Sequence, residues 1–124
     1  MSDKLKVVFI EDEDIYIDTY NELLHEIERI KNFHFDQPGE YRDKKSALNV
    51  IDGWGTNPET TPDLVFLDLI LPITPEIFQE KNERKKQNQS SSIPEDSMDT
   101  RAGIELYNGI RAKEQLTQLP IIIL

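Results

Sequence analysis

Apolar positions along the chain form short continuous runs, separated by segments in which they recur at helical spacing. A short apolar run bounded by turn-forming residues is typical of a strand buried on both faces of a parallel sheet. Such strands are predicted at residues 6–10, 32–35, 63–67 and 120–124, of which 32–35 is the weakest. Helices are predicted at residues 15–31, at residues 44–54 and from about residue 101. The alternation of strand and helix predicts an α/β fold with a parallel sheet and right-handed crossovers.

The helical spacing also predicts which side chains face the core. In the first helix they are Ile15, Tyr16, Tyr20, Leu23, Leu24, Ile27 and Ile30. In the second they are Ala47, Leu48 and Ile51, and in the third Ile104, Tyr107 and Ile110, with Leu106 as a further candidate. Asp14 and Asp43 precede two of these helices and are predicted to cap them, because their side chains can accept hydrogen bonds from free amides.

One stretch, residues 62–72 (Pro-Asp-Leu-Val-Phe-Leu-Asp-Leu-Ile-Leu-Pro), places a lone carboxylate at the end of a predicted buried strand. That carboxylate, Asp68, has only apolar neighbours from Val65 to Leu71. Desolvating a carboxylate among apolar side chains is costly unless a partner compensates. In open α/β sheets, ligands bind at the carboxyl ends of the strands. We therefore interpret Asp68 as a functional residue, with a structural carboxylate that caps a turn as the alternative.

Two more carboxylates, Glu11 and Asp12, directly follow the predicted strand 6–10. Neighbouring parallel strands end at the same rim of a sheet, so we expect these side chains to lie close to Asp68 and call the three the acidic cluster. Carboxylates a few ångströms apart repel one another, and a divalent cation relieves that repulsion. Magnesium suits such a site because it uses one or two carboxylates and leaves room for water and phosphate. The alternative for residues 11–14 is a solvated acidic turn, since acidic residues favour helix N-termini.

Composition excludes several classes of function. The 124 residues suffice for one domain with one core. A net charge of −10 argues against nucleic-acid binding through a basic surface. The absence of cysteine excludes disulfides and cysteine zinc sites. No apolar run reaches membrane-spanning length and the N-terminal residues lack the apolar core of a signal peptide, so we expect a cytoplasmic protein without membrane contact.

Taken in order, these segments resemble the receiver domain of two-component response regulators. The resemblance is carried by Val-Val-Phe-Ile-Glu-Asp-Glu at residues 7–13, residues 62–72, Met98-Asp99 with Gly103-Ile-Glu-Leu, Ile110-Arg111 and Pro120-Ile-Ile-Ile-Leu. It covers almost the whole chain except residues 73–97. It implies a single receiver-like domain with a flavodoxin-like, doubly wound parallel sheet, of which this chain would hold about four strands and three helices.

The resemblance also implies a role for each acidic residue. Asp68 would be the phosphoacceptor and a ligand of Mg²⁺, Asp12 would hold the ion directly, and Glu11 would do so directly or through water. The backbone carbonyl of Ile70 would be a further ligand. The implied partner is a histidine kinase or phosphotransfer protein. The signal would pass by protein contact, so the chain is not expected to be an enzyme.

Two departures from the family pattern lead to further expectations. Residues 73–97 form an insertion beside the predicted phosphoacceptor, expected to be a flexible, solvated loop, with an exposed helix at residues 76–86 as a variant. A lid over Asp68 and a partner-docking segment are alternative roles for this insertion. The chain also ends before the Ser or Thr and the Lys that the family places after its fourth and fifth strands, so we expect a fragment truncated at the C-terminus. Residues 121–124 would then form an exposed apolar edge that favours homodimerisation or strand exchange.

Two other functions are consistent with these patterns. A pseudo-receiver of the same fold would not be phosphorylated and would act as a dimerisation or docking module; the insertion favours it and the complete acidic cluster disfavours it. A magnesium-dependent phosphohydrolase would use Asp68 as its nucleophile. Enzymes of that kind commonly carry a second aspartate two residues further on, where this chain has Ile70.

Overall fold

The computed structural model describes residues 4–31, 33–86 and 97–124. The strands are β1 (Lys4–Leu5), β2 (Val7–Ile10), β3 (His34–Phe35), β4 (Gly39–Tyr41), β5 (Leu64–Leu67), β6 (Leu71–Pro72), β7 (Met98–Asp99) and β8 (Ile121–Ile123). The helices are α1 (Asp14–Lys31), α2 (Lys44–Ile51), α3 (Pro75–Lys86) and α4 (Ala102–Arg111), followed by a 3₁₀ helix at Glu114–Leu116. This order of elements confirms the predicted alternation of strands and helices.

Four parallel strands form the main sheet, in the order β4-β2-β5-β8. Every residue of β2 is buried and so are three of the four in β5, as expected for central strands between two helical layers. In the register of these two strands, Ile10 pairs with Leu67. The residues that follow, Glu11 and Asp68, therefore leave the sheet side by side at its carboxyl edge.

Helices cover both faces of the sheet, which confirms the predicted doubly wound arrangement. Alternate residues of a strand point to opposite faces, so each strand contributes to two core clusters. On one face, α1 packs against aromatic side chains: the rings of Phe9 and Phe66 stack at 4.9 Å, and Tyr20 lies 5.0 Å from Phe66. On the other face, α2 and α4 enclose the larger cluster, which contains the buried Trp54.

Helices α1, α2 and α4 each bury a narrower face than their apolar patterns predict. On α1 the buried residues are Leu24, which belongs to the predicted set, and Ile17, which does not. Four predicted core residues of α1 are wrong, because their exposed fractions are 50–69%: Ile15, Tyr16, Leu23 and Ile30. The same correction applies to three residues of α2 and α4 that are 37–43% exposed: Leu48, Ile104 and Tyr107. A helix contacts a sheet along one stripe, so apolar residues beside that stripe stay in contact with solvent.

The second strand of the sheet differs from the sequence prediction. The edge strand of the main sheet is β4, whereas the predicted strand at 32–35 supplies only the short β3, which pairs with β1. Residue 32 lies outside the described part of the chain. Strand β4 has the sequence Gly-Glu-Tyr, so no apolar run marks it.

One of the two predicted helix caps is confirmed. The side chain of Asp43 accepts a hydrogen bond from the amide of Ser46 at 2.8 Å and caps α2. Asp14 was expected to play the same role for α1, but it is the first residue of that helix and its carboxylate pairs with Arg42 at 2.5 Å. The Asp14 carboxylate therefore forms an ion pair with Arg42, whereas the local sequence predicts a hydrogen bond to the amides at the start of α1.

Part of the predicted insertion is helical. Helix α3 spans Pro75–Lys86, where the sequence permits an exposed helix, and none of its residues is buried. Strand β6 before it pairs antiparallel with β7, which brings the two ends of the inserted segment together. Residues 87–96 lie outside the described part of the chain. Over the residues described, α3 and the other helices are all too short or too polar to cross a membrane.

Candidate metal centre

The carboxyl edge of the main sheet brings three carboxylates together. Glu11 and Asp12 follow β2, Asp68 follows β5, and one oxygen atom from each of the three lies within 4.8 Å of the others. The predicted proximity of the acidic cluster is therefore confirmed, while the roles of its members as metal ligands and phosphoacceptor stay predictions. Glu11 and Asp12 are only 1% and 7% exposed, so two of the three carboxylates lie largely out of contact with water.

Burial perturbs Glu11 strongly. Its pKa is raised to about 8, mainly because burial removes water from the side chain, and also because Asp68 and Asp12 carry like charge. The amide of Glu13 donates a hydrogen bond to Glu11 Oε1 at 3.0 Å and opposes this change in part. Glu11 therefore favours its protonated form at neutral pH, and a cation bound between the carboxylates would stabilise the charged form instead.

The backbone that follows Asp68 fixes the orientation of its carboxylate. Asp68 Oδ1 accepts hydrogen bonds from the amides of Leu69 at 2.7 Å and Ile70 at 3.5 Å. Burial raises the pKa of Asp68 above its ordinary value, these two amides lower it in part, and the charge of Asp12 adds to the increase. A raised pKa at a carboxylate that lines a cavity is typical of functional sites.

Helix α4 approaches the Asp68 segment closely because its second residue is a glycine. The amide of Gly103 donates a hydrogen bond to the carbonyl of Leu69 at 3.0 Å. A β-carbon at position 103 would collide with the carbonyl oxygen of Asp68 and would lie 2.5 Å from the Cα atom of Leu69. Only glycine allows this contact, which sets the position of the backbone that carries Asp68.

A cavity of about 400 Å³ opens beside the acidic cluster. Its lining residues are Glu11, Asp12, Glu13, Tyr16, Tyr20, Asp68, Ile70, Lys81, Met98 and Leu124. Ile70 is among them, although the use of its carbonyl as a ligand stays a prediction. Carboxylate oxygens are ligands that Mg²⁺ prefers, and the cavity has room for water and a phosphoryl group, so the residues present fit a magnesium ion.

Sequence reasoning did not identify the basic residue of this site, Lys81 of α3. Its ammonium group pairs with Asp12 and, at 2.8 Å, with Glu13, while Lys85 one turn later pairs with Glu13 as well. Burial alone would lower the pKa of Lys81, but its hydrogen bonds and charge interactions with Asp12 and Glu13 raise it overall, so the lysine stays charged. The signal that could have revealed the contact is charge complementarity between the acidic residues 11–14 and the two lysines, which lie four residues apart on one helical face.

No protein-family model and no curated protein matches this sequence. Solved structures do match its fold, among them two with a TM-score of 0.56 each. One is the phosphorylated cyanobacterial phytochrome response regulator RcpA, which is 19% identical over 97% of this chain and 64% of that one. The other is the bacteriophytochrome response regulator AtBRR, which is 15% identical over 98% of this chain and 66% of that one.

These similarities confirm the predicted flavodoxin-like receiver fold, with its doubly wound parallel sheet. The chain spans just under two thirds of the length of these two response regulators. At 15–19% identity the likeness shows the fold alone, so phosphorylation, magnesium binding and the kinase partner stay predictions for this chain.

Proposed function

We propose that the chain is a phosphoacceptor receiver domain of a response regulator, modified on Asp68 by a histidine kinase or phosphotransfer protein in the presence of Mg²⁺. The observation that carries this proposal is the acidic cluster, in which three carboxylates from two adjacent strand ends lie beside a cavity large enough for a phosphoryl group. The fold that the chain shares with two response regulators adds support.

Phosphoryl transfer at such a site depends on positioning and on neutralisation of charge. A carboxylate oxygen of Asp68 would attack the phosphorus atom of the donor, forming an oxygen–phosphorus bond while the phosphorus–nitrogen bond of a phosphohistidine breaks. The amides of Leu69 and Ile70 hold the attacking carboxylate in one orientation. Asp12 and Asp68 would hold Mg²⁺, with Glu11 acting directly or through water, and the ion would supply positive charge next to the phosphoryl oxygens.

The phosphorylated chain would signal by contact with another protein rather than by turning over a substrate. A phosphohydrolase with an aspartate nucleophile commonly needs a second aspartate two residues on, and this chain offers the apolar Ile70 there. Ile70 lines the cavity, but its side chain is apolar and offers the site no proton donor. The aspartyl phosphate is therefore expected to persist long enough to be recognised.

Incubation with acetyl phosphate and Mg²⁺, followed by measurement of the intact mass, tests this proposal. We expect one added phosphoryl group, and none when EDTA removes the ion before incubation, because the carboxylates would then repel the donor. Rapid consumption of acetyl phosphate without a lasting adduct would indicate a phosphohydrolase. No adduct and no consumption would contradict the phosphoacceptor role.

One contact favours a second candidate, the pseudo-receiver. Lys81 pairs with the buried Asp12 and neutralises part of the acidic cluster without a metal ion. A domain stabilised in this way can serve as a docking module without being phosphorylated. The absence of any adduct, together with unchanged partner binding by an Asp68→Asn variant, would favour this candidate.

The outer edge of β8 leads to a prediction about self-association. Among the strands that the structure describes, none pairs with that edge, and Ile122 and Ile123 are 42% and 46% exposed. Apolar strand edges of this kind recruit further strands. We expect dimers or strand-exchanged assemblies at micromolar concentration in sedimentation velocity, and a shift toward monomer in the Ile123→Lys variant.

A matched control separates edge pairing from a general gain in solubility. Ile30→Lys introduces the same charge at a residue of α1 that is 65% exposed and lies outside the β8 edge. This variant should associate like the wild type. A wild-type monomer at micromolar concentration would contradict the prediction, as would equal effects of the two substitutions.

A further inference from the structure

Among the described residues, helix α3 contacts the domain through charged groups and a cation–π contact, and it has no buried apolar face. None of its residues is buried. The guanidinium group of Arg42 lies 5.7 Å from the ring centre of Phe78, and the amide of Lys45 donates a hydrogen bond at 3.1 Å to the carbonyl of Ile73, just before the helix. A single cation–π contact or hydrogen bond contributes little, and so does an exposed ion pair, so the ion pair with the buried Asp12 contributes most to the position of α3.

The ion pair between Lys81 and Asp12 differs from the neighbouring ion pair of Lys85 in its burial. The side chain of Asp12 is 2% exposed and that of Lys81 is 26% exposed. Lys85 is 62% exposed and, in the described structure, pairs with Glu13 rather than with Asp12. Salt and water screen a buried pair much less than an exposed one. Lys81 is therefore the residue through which α3 acts on the acidic cluster.

We propose that Lys81 is a tethered cation that competes with Mg²⁺ for Asp12, so that binding of the ion releases α3 from the acidic cluster. This inference rests on the magnesium site of the proposed function. The ammonium group and the ion would share one carboxylate and lie within a few ångströms of each other, where like charges in a half-buried site repel strongly. Asp12 therefore binds one of the two cations at a time, and the lysine takes the place of the ion when the ion is absent.

This competition couples the position of α3 to the occupation of the metal site. Coupling between two binding events is reciprocal, so displacement of α3 strengthens ion binding by the same factor by which ion binding weakens the attachment of α3. Helix α3 would thereby set the Mg²⁺ concentration at which Asp68 becomes competent for phosphorylation.

Isothermal titration of the chain with Mg²⁺ tests the competition directly. Lys81→Gln removes the competing charge, and we expect the dissociation constant for Mg²⁺ to fall roughly tenfold. Lys85→Gln is the matched control, because it removes the same charge from the same helix at a residue that pairs with Glu13. We expect it to change the dissociation constant by less than about twofold, since exposed charges are screened by water and salt.

Amide hydrogen exchange provides a readout that does not depend on affinity. In the wild type, backbone amides of residues 78–86 should exchange faster when Mg²⁺ is added, because the helix loses its buried ion pair. In Lys81→Gln they should exchange at the faster rate before any ion is added. If the exchange rates of these amides in the wild type stay the same when Mg²⁺ binds, the proposed release of α3 is wrong.

The titration also separates failure of this inference from failure of the proposed function. Equal dissociation constants for the wild type and Lys81→Gln, or weaker binding by the variant, would overturn the competition and leave the magnesium site intact. If neither protein binds Mg²⁺, both the competition and the proposed function fail.

Discussion

Asp68→Asn is expected to abolish the phosphoryl adduct that forms with acetyl phosphate and Mg²⁺. A side-chain amide is a far weaker nucleophile than a carboxylate and cannot form the acyl phosphate, so the loss should be complete rather than partial. Intact-mass spectra of the wild type and the variant after identical incubation measure the effect. An adduct that persists at wild-type level in the variant would place the acceptor at another residue.

The substitution should leave the fold intact. The amide oxygen of asparagine can still accept the hydrogen bonds that Asp68 Oδ1 receives from Leu69 and Ile70. The variant also loses one of the charges that raise the pKa of Glu11, so the free energy of unfolding should be unchanged or higher. Asp63→Asn is the matched control: this carboxylate lies just before β5, at its opposite end, and accepts a hydrogen bond from the Lys6 amide at 2.8 Å. It should form the adduct normally.

Gly103→Ala is expected to lower the free energy of unfolding by roughly 2–3 kcal/mol, which is large for the addition of one methyl group. The added β-carbon would collide with the backbone at Asp68 and Leu69, so α4 and this segment must move apart. Urea unfolding measures the loss of stability. The same movement displaces the Asp68 carboxylate, so the fraction of protein phosphorylated by acetyl phosphate should fall as well.

Gly109→Ala provides the control within the same helix. Apart from its chain neighbours and the backbone of its own helix, no atom of the described residues lies within 4 Å of a β-carbon added at Gly109. Alanine is the better helix former, so this variant should gain about 0.5–1 kcal/mol in the free energy of unfolding and should keep normal phosphorylation. Loss of stability of the same size in both variants would contradict the close contact assigned to Gly103.

The sequence predicts the sheet and the acidic cluster well because both follow from local patterns. The runs at Val7–Ile10 and Leu64–Leu67 are apolar throughout, which distinguishes buried parallel strands from amphipathic ones. Once two such strands are parallel neighbours, Glu11 and Asp68 at their ends must meet at one edge. Strand β4 is not predicted in this way. It lies at the edge of the sheet, where a strand can form without an apolar run, and its sequence is Gly-Glu-Tyr.

The features that the sequence does not predict depend on contacts between distant segments. The buried stripe of α4 is set by the close approach of Gly103 to the backbone at Asp68, which turns Ile104 outward. The position of α3 depends on Lys81 reaching Asp12, 69 residues away along the chain. Charge patterns indicate that such a contact is favourable, but they do not select one partner among the many charged residues of the chain.

Locating the phosphoryl group on the chain is the measurement that bears most directly on the proposed role of Asp68. After incubation with acetyl phosphate and Mg²⁺, borohydride reduces an aspartyl phosphate to a stable alcohol, and mass spectrometry of the peptides identifies the modified residue. The reduced residue should be Asp68 alone, and it should be absent when EDTA is present. Modification of another carboxylate, or an unmodified Asp68 after full incubation with Mg²⁺, would contradict the proposed function.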